Sequence, residues 1–371
     1  VTVSSPTARR SSGSMSAGGA IWLVAEREIS SKLRSKAFLI STGILLLIAL
    51  AGVLIGGFTS KAPSQTAIAV TSETAAAVQG NESLKPTQAA DAAEAEKLVR
   101  DGTVEAAIVP SSDPTFGYKV VALENAPNSL VMSLAKTPQV EILEPSKTNA
   151  ALRYFIAIGF GVVFLMAAST FGGTIAQSVV EEKQTRVVEL LISAIPTRAL
   201  LAGKVIGNTI LAMAQILALA AIAVVGLMVT GQNALLSGIG APILWFAIFF
   251  LFGFILLASL FAAAAAMVSR QEDIGSTTMP ITMLVMAPYV LVIVFNDNPL
   301  VMAIMSYVPF SAPVGMPMRL FLGDAQWWEP LLSLLILIAS CIAAIAIAAK
   351  IYENSLLRMG ARVTLAEALR G

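Results

Sequence analysis

Hydrophobic positions along the chain gather into long blocks separated by short polar stretches. Residues 37–58 form an uncharged apolar run of about the twenty residues a helix needs to cross a hydrocarbon core. The run is longer than the apolar heart of a signal peptide and has no small-residue cleavage site, so it reads as an uncleaved first span. Five further blocks follow, at 151–178, 204–230, 240–268, 281–296 and 330–350. The pattern predicts an α-helical polytopic membrane protein with six transmembrane helices. Gly159, Gly161, Gly172 and Gly173 in the second block, and the alanines late in the fourth, are small enough to let helices approach closely.

The stretches between the blocks differ in kind. Residues 1–19 are Ser-, Thr- and Gly-rich, with Arg9 and Arg10, and read as a disordered tail. Residues 20–36 mix Ile21, Trp22, Val24 and Ala25 with Glu26, Arg27, Glu28, Lys32, Arg34 and Lys36, which predicts an interfacial amphipathic helix. Residues 59–150 are polar enough and long enough to fold as a small α/β domain between the first two spans. Strands are expected at 66–70, 104–109, 118–123 and 140–143, with helices over 91–100 and from Asn128. Carboxylates in this domain form no recognisable metal or acid–base pair and read as solvated surface. Residues 231–240 read as a turn. The apolar stretch 300–323 is broken by Pro309, Pro313 and Pro317, predicting short or re-entrant helices, with Trp327 and Trp328 as an aromatic belt beyond them.

Residues 179–203 are a charged amphipathic interruption between apolar blocks. Val187, Leu190, Leu191 and Ala194 recur at helical spacing, with Glu182, Arg186, Glu189 and Ser193 opposite them. Glu182 precedes Arg186 by one turn, Pro196 ends the helix, and Thr197 is placed to cap the next one. Such a helix either anchors the bundle at the interface or docks on a partner. A second charged loop, 269–280, offers Arg270, Glu272 and Asp273 to a partner or as caps for the fifth span.

Composition narrows the function. The 371 residues are 56% hydrophobic and 13% charged, with a mean hydropathy of +0.80. A net charge of +1 leaves no basic field for nucleic acid. Lysines and arginines instead crowd one set of short segments: Arg27, Lys32, Arg34, Lys36, Lys183, Arg186, Arg198, Lys204, Arg270 and the tail cations Lys350, Arg358, Arg362 and Arg370. The opposite short segments hold only Arg319, so the positive-inside bias puts both termini in the cytoplasm and the α/β domain outside. The absence of histidine excludes zincin motifs and Ser-His-Asp triads. Cys341, the single cysteine, reads as a packed thiol. No G-x-x-x-x-G-K-[ST] loop occurs, so the chain has no ATP site of that kind and is not expected to be an enzyme. Gln177, Asn208, Thr209 and Gln215 either line a substrate path or bond across helices. Arg319 either meets an anionic headgroup or substrate, or snorkels to the interface. Met279, Met283 and Met286 share a helical face that suits an adaptable path or a packed core.

The segment 180–207 closely resembles the first cytoplasmic loop of ABC-2 type transporter permeases. Their pattern E-E-K-x-x-R-x-x-E-L-L-x-S, then Pro, then L-x-G-K-x-x-G, is met by Glu181, Glu182, Lys183, Arg186, Glu189, Leu190, Leu191, Ser193, Pro196, Leu201, Gly203, Lys204 and Gly207. The sequence departs from it by placing Ala194 and Ile195 before the proline. Residues 269–280 are similar to the family's second cytoplasmic loop, and 307–323 resembles its Pro-Phe-x-x-Pro and Met-Pro-x-Arg region before the last span. Residues 95–110 resemble the outer domain of a NatB-like branch. The resemblance implies an exporter permease, with the first loop as the coupling helix of a separate ATPase. It further implies ATP and Mg on that ATPase, no cofactor on this chain, and a second permease copy or paralogue. Glu181, Glu182, Lys183, Arg186 and Glu189 would carry the coupling contacts. Two other readings stand beside it, an ATPase-linked mechanotransmitter and a gradient-driven carrier. Against the second is the expectation that the spans lack buried carboxylates.

Overall fold

The computed structural model describes residues 16–59, 65–78, 81, 83–112, 117–123, 130–131, 134, 150–185, 187–356, 358 and 363–370. The tail 1–15, the expected strand at 140–143, most of the helix expected from Asn128, and Arg186 and Arg362 lie outside the described residues. The chain divides into two units, Val1–Leu54 with Ser146–Gly371, and Ile55–Pro145.

Helices make up the larger unit. After α1 (Ala17–Leu33) and α2 (Lys36–Thr59) come α4 (Ala150–Gln184), the short α5 (Val187–Ala194), α6 (Thr197–Val229) and α7 (Asn233–Ala266), α3 lying in the other unit. Then follow α8 (Ile274–Val294), α9 (Pro299–Tyr307), α10 (Ala312–Leu322), α11 (Glu329–Leu356) and α12 (Leu365–Arg370). Among the described residues, six helices are long and apolar enough to cross a membrane: those over Lys36–Gly57, Leu152–Gln184, Thr197–Val229, Leu235–Ala266, Gln271–Val294 and Glu329–Leu356.

Several helix ends differ from the sequence expectation. α4 runs on through Glu181–Glu182–Lys183 and stops only where the Thr185 amide and hydroxyl both turn back to the Glu181 carbonyl. Thr197 is not a cap: Pro196 holds that position, and its carbonyl accepts from the Ala199 and Leu200 amides. The turn expected over 231–240 contracts to Thr230–Gln232, with Gly231 at φ 68° and α7 continuing through Pro242. The fifth span starts at Ile274, not after Pro280, because the Thr277 and Thr278 hydroxyls donate to the carbonyls of Asp273 and Ile274 and support the turn ahead of that proline.

Inside a membrane, packing rather than water exclusion holds spans together. Phenylalanines one or two turns apart form a ladder between α4 and α7. Phe160 stacks on Phe246 at 4.9 Å between ring centroids, and Phe164 and Phe171 meet Phe250 and Phe254 edge-on at 5.8 and 6.0 Å. Gly172 leaves room for the Phe261 ring, whose Cδ2 lies 2.5 Å from where a Cβ would stand. Ala262 to Ala266 are all buried, which is the close approach their size predicts. Cys341 is buried, whereas Met279 and Met283 face outward rather than into a core.

The second unit holds a four-stranded sheet in the order β2-β1-β3-β4. β1 (Thr66–Val70) runs parallel to β2 (Leu84–Gln88) and to β3 (Ala106–Pro110), and β3 runs antiparallel to β4 (Tyr118–Ala122). α3 (Ala92–Arg100) crosses between β2 and β3, its N-terminus capped by Asp91 accepting from the Glu94 amide. β2 contains Pro86 and four exposed residues, which fits an edge strand and explains why alternation did not reveal it. Apolar residues cover both faces of the sheet: Ile68, Val70 and Ile108 on one, Ala69, Ala107 and Val109 with Val99 of α3 on the other.

Candidate functional site

Chemistry-bearing side chains concentrate at the end of the bundle where α4 passes through α5 into α6. α5 is a single two-turn helix in which only Val188 is buried. Val187, Glu189, Leu190, Ser193 and Ala194 are exposed and Leu191 is half-buried, with Leu190 at 73%. The apolar stripe predicted for this helix therefore faces away from the fold, while Val188 and Ile195 anchor it. Close to the end of α4 lies the second loop, where Arg270 and Glu272 are exposed and paired at 3.3 Å and Asp273 is half-buried.

The motif's glycines and charges point the other way, into the protein. α1 lies across α6 at Gly203 and Gly207. A Cβ on Gly203 would stand 2.5 Å from Val24 Cβ and 2.8 Å from the Ile21 carbonyl, and one on Gly207 would stand 2.9 Å from the Ala25 carbonyl. Between the two glycines Lys204 is fully buried. Its ammonium lies 3.0 Å from Glu28 of α1, 3.0 Å from Glu182 of α4 and 2.6 Å from Ser178 Oγ. The ammonium donates to Glu28 and Ser178 and is ion-paired with Glu182 as well. Arg27 closes the ring, pairing with Glu182 and, at 3.3 Å, with Glu28. Two carboxylates face two cations, so the cluster is neutral. Burial pushes the Glu28 carboxyl up, but Lys204 and Arg27 outweigh it and hold that carboxyl below the usual carboxylate range.

Lys183, the neighbour of Glu182, is fully buried on the other side of α4. It donates to the carbonyls of Ala266 at 2.8 Å and Ser355 at 2.9 Å. These oxygens stand at the C-terminal ends of α7 and α11, where carbonyls lack helical partners and the dipole favours a cation. One ammonium thus ties three spans together. Beside the charge cluster, the hydroxyl of buried Tyr352 and Oε2 of Glu182 have no hydrogen-bond partner among the described residues.

Of the residues expected at the coupling surface, Glu181 and Glu189 are exposed, Glu182 and Lys183 are committed to internal bonds, and Arg186 is outside the described residues. The residues expected along a substrate path are not brought together. Gln177 is exposed, and Gln215 is buried two turns further along α6 from Asn208. Asn208 donates to the Lys204 carbonyl at 2.9 Å and accepts from Thr174 Oγ1 at 3.3 Å, a packing role. Arg319 neither snorkels nor stands free. It is buried, paired with Glu329 at 2.7 Å, and donates to Ser306 Oγ and the Asp324 carbonyl. The carboxylates nearest the spans, Glu182 and Glu329, lie outside the apolar blocks 151–178 and 330–350, are 13% and 14% exposed, and are each paired with a cation. Sequence reading named Glu28 and Lys204 but gave neither an internal role. The available signal was position: Glu28 shares the face of Ala20, Val24 and Ala25, and Lys204 sits on an apolar stretch of α6 between two glycines. Among the described residues no cluster of His, Cys, Asp and Glu is grouped to hold a metal.

Comparison with known proteins gives a family match over most of the chain. A model described as ABC-2 family transporter protein matches residues 36–350. Among curated proteins, the chain is 25% identical over 236 residues to the uncharacterized protein YhaP of Bacillus subtilis (strain 168), covering 60% of this chain and 56% of that one. It is 27% identical over 242 residues to the uncharacterized protein MJ1024 of Methanocaldococcus jannaschii, covering 62% and 58%. The chain spans a little over half the length of these curated relatives. No solved structure matches.

Proposed function

The chain belongs to the ABC-2 transporter family, and on that premise we propose that it is the permease subunit of an ABC exporter. It moves substrate out of the cytoplasm using ATP hydrolysed, with Mg, on a separate ATPase subunit. The carrying observation is α5: an eight-residue helix between spans that turns Val187, Leu190 and Ala194 outward and buries only Val188. An exposed apolar stripe flanked by Glu181 and Glu189, beside the charged loop at Arg270 and Glu272, suits insertion into a cleft of another protein. ATP-driven closure of that partner pushes on α5, and the push shifts the bundle between inward-open and outward-open populations. An even number of candidate spans and the positive-inside bias of the short loops support a reading with the loop end of α5 on the cytoplasmic side. A second permease, identical or paralogous, completes the transporter. The buried carboxylates at 182 and 329 are each paired with a cation, so no observation favours a gradient-driven carrier over this reading.

Purification of the full chain from its native membrane, followed by identification of co-purifying proteins and an ATPase assay, tests the proposal. Leu190→Asp removes the apolar contact without touching an internal bond. Wild type should bring down an ATPase that the variant loses while remaining folded. A folded wild type with no ATPase and no hydrolysis overturns the reading.

A further inference from the structure

A second surface is built on α1, on the side away from α6. Ala20, Val24, Ala25 and Glu28 are the face that α1 buries. Trp22, Leu23 and Leu33 project elsewhere, 57%, 51% and 50% exposed. At 100° per residue Trp22 and Leu33 fall within about 20° of each other, with half-buried Ile29 between them. Exposed Glu26 interrupts the stripe about 40° from Trp22, and Ile29 packs partly on the core, whereas Trp22 and Leu33 are left largely uncovered among the described residues.

Depth fixes what it meets. Only Arg34 and Ser35 separate the end of α1 from Lys36, the first residue of the first span. Since two extended residues reach at most about 7 Å, α1 is held at the level where the span leaves the hydrocarbon. An aromatic and leucine stripe at that depth belongs at the boundary of headgroups and acyl chains.

Charge then selects among headgroups. Most cations at this end of the bundle are already used: Lys183 by two carbonyls, Lys204 by two carboxylates, Arg27, Arg198 and Arg270 by Glu182, Glu353 and Glu272. Lys32 is half-buried and lies within electrostatic reach of Glu28 and Glu181. Arg34 and Lys36 are exposed and make no ion pair among the described residues, so two free cations flank the stripe. We infer that α1 and the Arg34–Lys36 corner form a binding surface for anionic phospholipid headgroups, with Trp22 and Leu33 seated among the upper acyl carbons and Arg34 and Lys36 on the phosphates. The surface follows from α1 alone and does not rest on the ATPase reading. Because α1 is locked to α4 and α6 through Glu28 and Lys204, lipid charge at this surface bears on the position of the loop end.

The test is native mass spectrometry of the full chain released from mixed micelles of phosphatidylglycerol and phosphatidylcholine. Wild type should retain phosphatidylglycerol in preference to phosphatidylcholine. With each cation near an anionic surface worth on the order of a fivefold effect, R34Q/K36Q should lower that preference at least tenfold. R34K/K36R, which keeps the charge, should retain it, and added salt should weaken it in wild type. Circular dichroism and gel filtration confirm that the double variant is folded; if it is not, the single variants Arg34→Gln and Lys36→Gln carry the test, each with a severalfold loss. An unchanged preference in a folded variant overturns the proposal. So does an unchanged preference with loss of a co-purifying protein, which would make the cations a docking site for an acidic protein surface.

Discussion

Lys204→Met removes the centre of the buried charge cluster at nearly constant volume. Two carboxylate oxygens lie 3.0 Å from the ammonium. At an effective dielectric of about 20, each such pair is worth roughly 5 kcal/mol before desolvation is subtracted. The ammonium's own desolvation offsets much of that sum, but the variant leaves Glu28 and Glu182 buried with Arg27 as their one remaining cation. Breaking a buried pair from one side costs about 3–5 kcal/mol. Arg27 reaches both carboxylates and is 43% exposed, so it can follow them, which favours the lower end of that range. A cost of about 3 kcal/mol falls on the docking of α1 against α6, because Glu28 is the α1 member of the cluster. Hydrogen exchange of α1 amides reads that local opening, and about 3 kcal/mol corresponds to exchange on the order of a hundredfold faster. Peptides from α7 should change little. Glu28→Gln in the Lys204→Met background removes the stranded charge and should recover part of the protection. If Lys204→Met leaves α1 exchange within about threefold of wild type, or if the second substitution deepens the loss, the cluster does not hold α1 and the reasoning fails.

Acid should release the same contact. The folded Glu28 carboxyl sits below its unfolded value, so the unfolded chain binds the proton more readily; the stabilisation is complete above the unfolded value of about 4.3 and is lost as pH falls through the folded one. Protection of α1 should hold from neutral pH down to about 5 and fall below 4, and Glu28→Gln should flatten that profile. Gly203→Ala puts a methyl 2.5 Å from Val24 Cβ and 2.8 Å from the Ile21 carbonyl, and should destabilise α1 by about 1–3 kcal/mol, measured as faster exchange or easier proteolysis of the segment. Arg319→Met should lower the thermal midpoint of the detergent-solubilised chain because it strands Glu329, and Arg319→Met/Glu329→Gln should recover much of the loss. Tyr352→Phe removes a buried hydroxyl that has no partner among the described residues, so the midpoint should stay unchanged or rise.

Apolar block length made the spans legible, because a membrane imposes a minimum run that random soluble sequence rarely supplies. The sheet of the second unit was partly legible. β1, β3 and β4 show β-branched or alternating runs, whereas the edge strand Leu84–Gln88 carries a proline and four exposed positions and gives no such signal. Helix ends were read least well, because local hydroxyl-to-carbonyl bonds at Thr185, Thr277 and Thr278 decide them. Charges at the loop end misled for a different reason. A run such as Glu181–Glu182–Lys183 usually means solvent, and only tertiary placement sends three successive side chains to water, to α6 and to the ends of α7 and α11.

That division changes how the loop end is to be probed. Glu182 and Lys183 belong to the same motif as Glu181 and Glu189, yet they hold α1, α6, α7 and α11 in place rather than facing a partner. A Glu182→Ala variant would strand Lys204 and Arg27 and loosen α1, so loss of activity in it reports on the lock as much as on any docking contact. Leu190, Glu189 and Glu181 form no ion pair among the described residues and are exposed, so substitutions there leave the lock standing. Activity lost on Leu190→Asp with α1 exchange unchanged assigns the outward face of α5 to a partner. Loss on Glu182→Ala with faster α1 exchange assigns the inward cluster to the fold. α5 follows the last turn of α4 after only Thr185 and Arg186. On the proposed coupling reading, a push on the outward face of α5 would therefore reach Glu182 over less than two turns of chain, and would act directly on the inward lock.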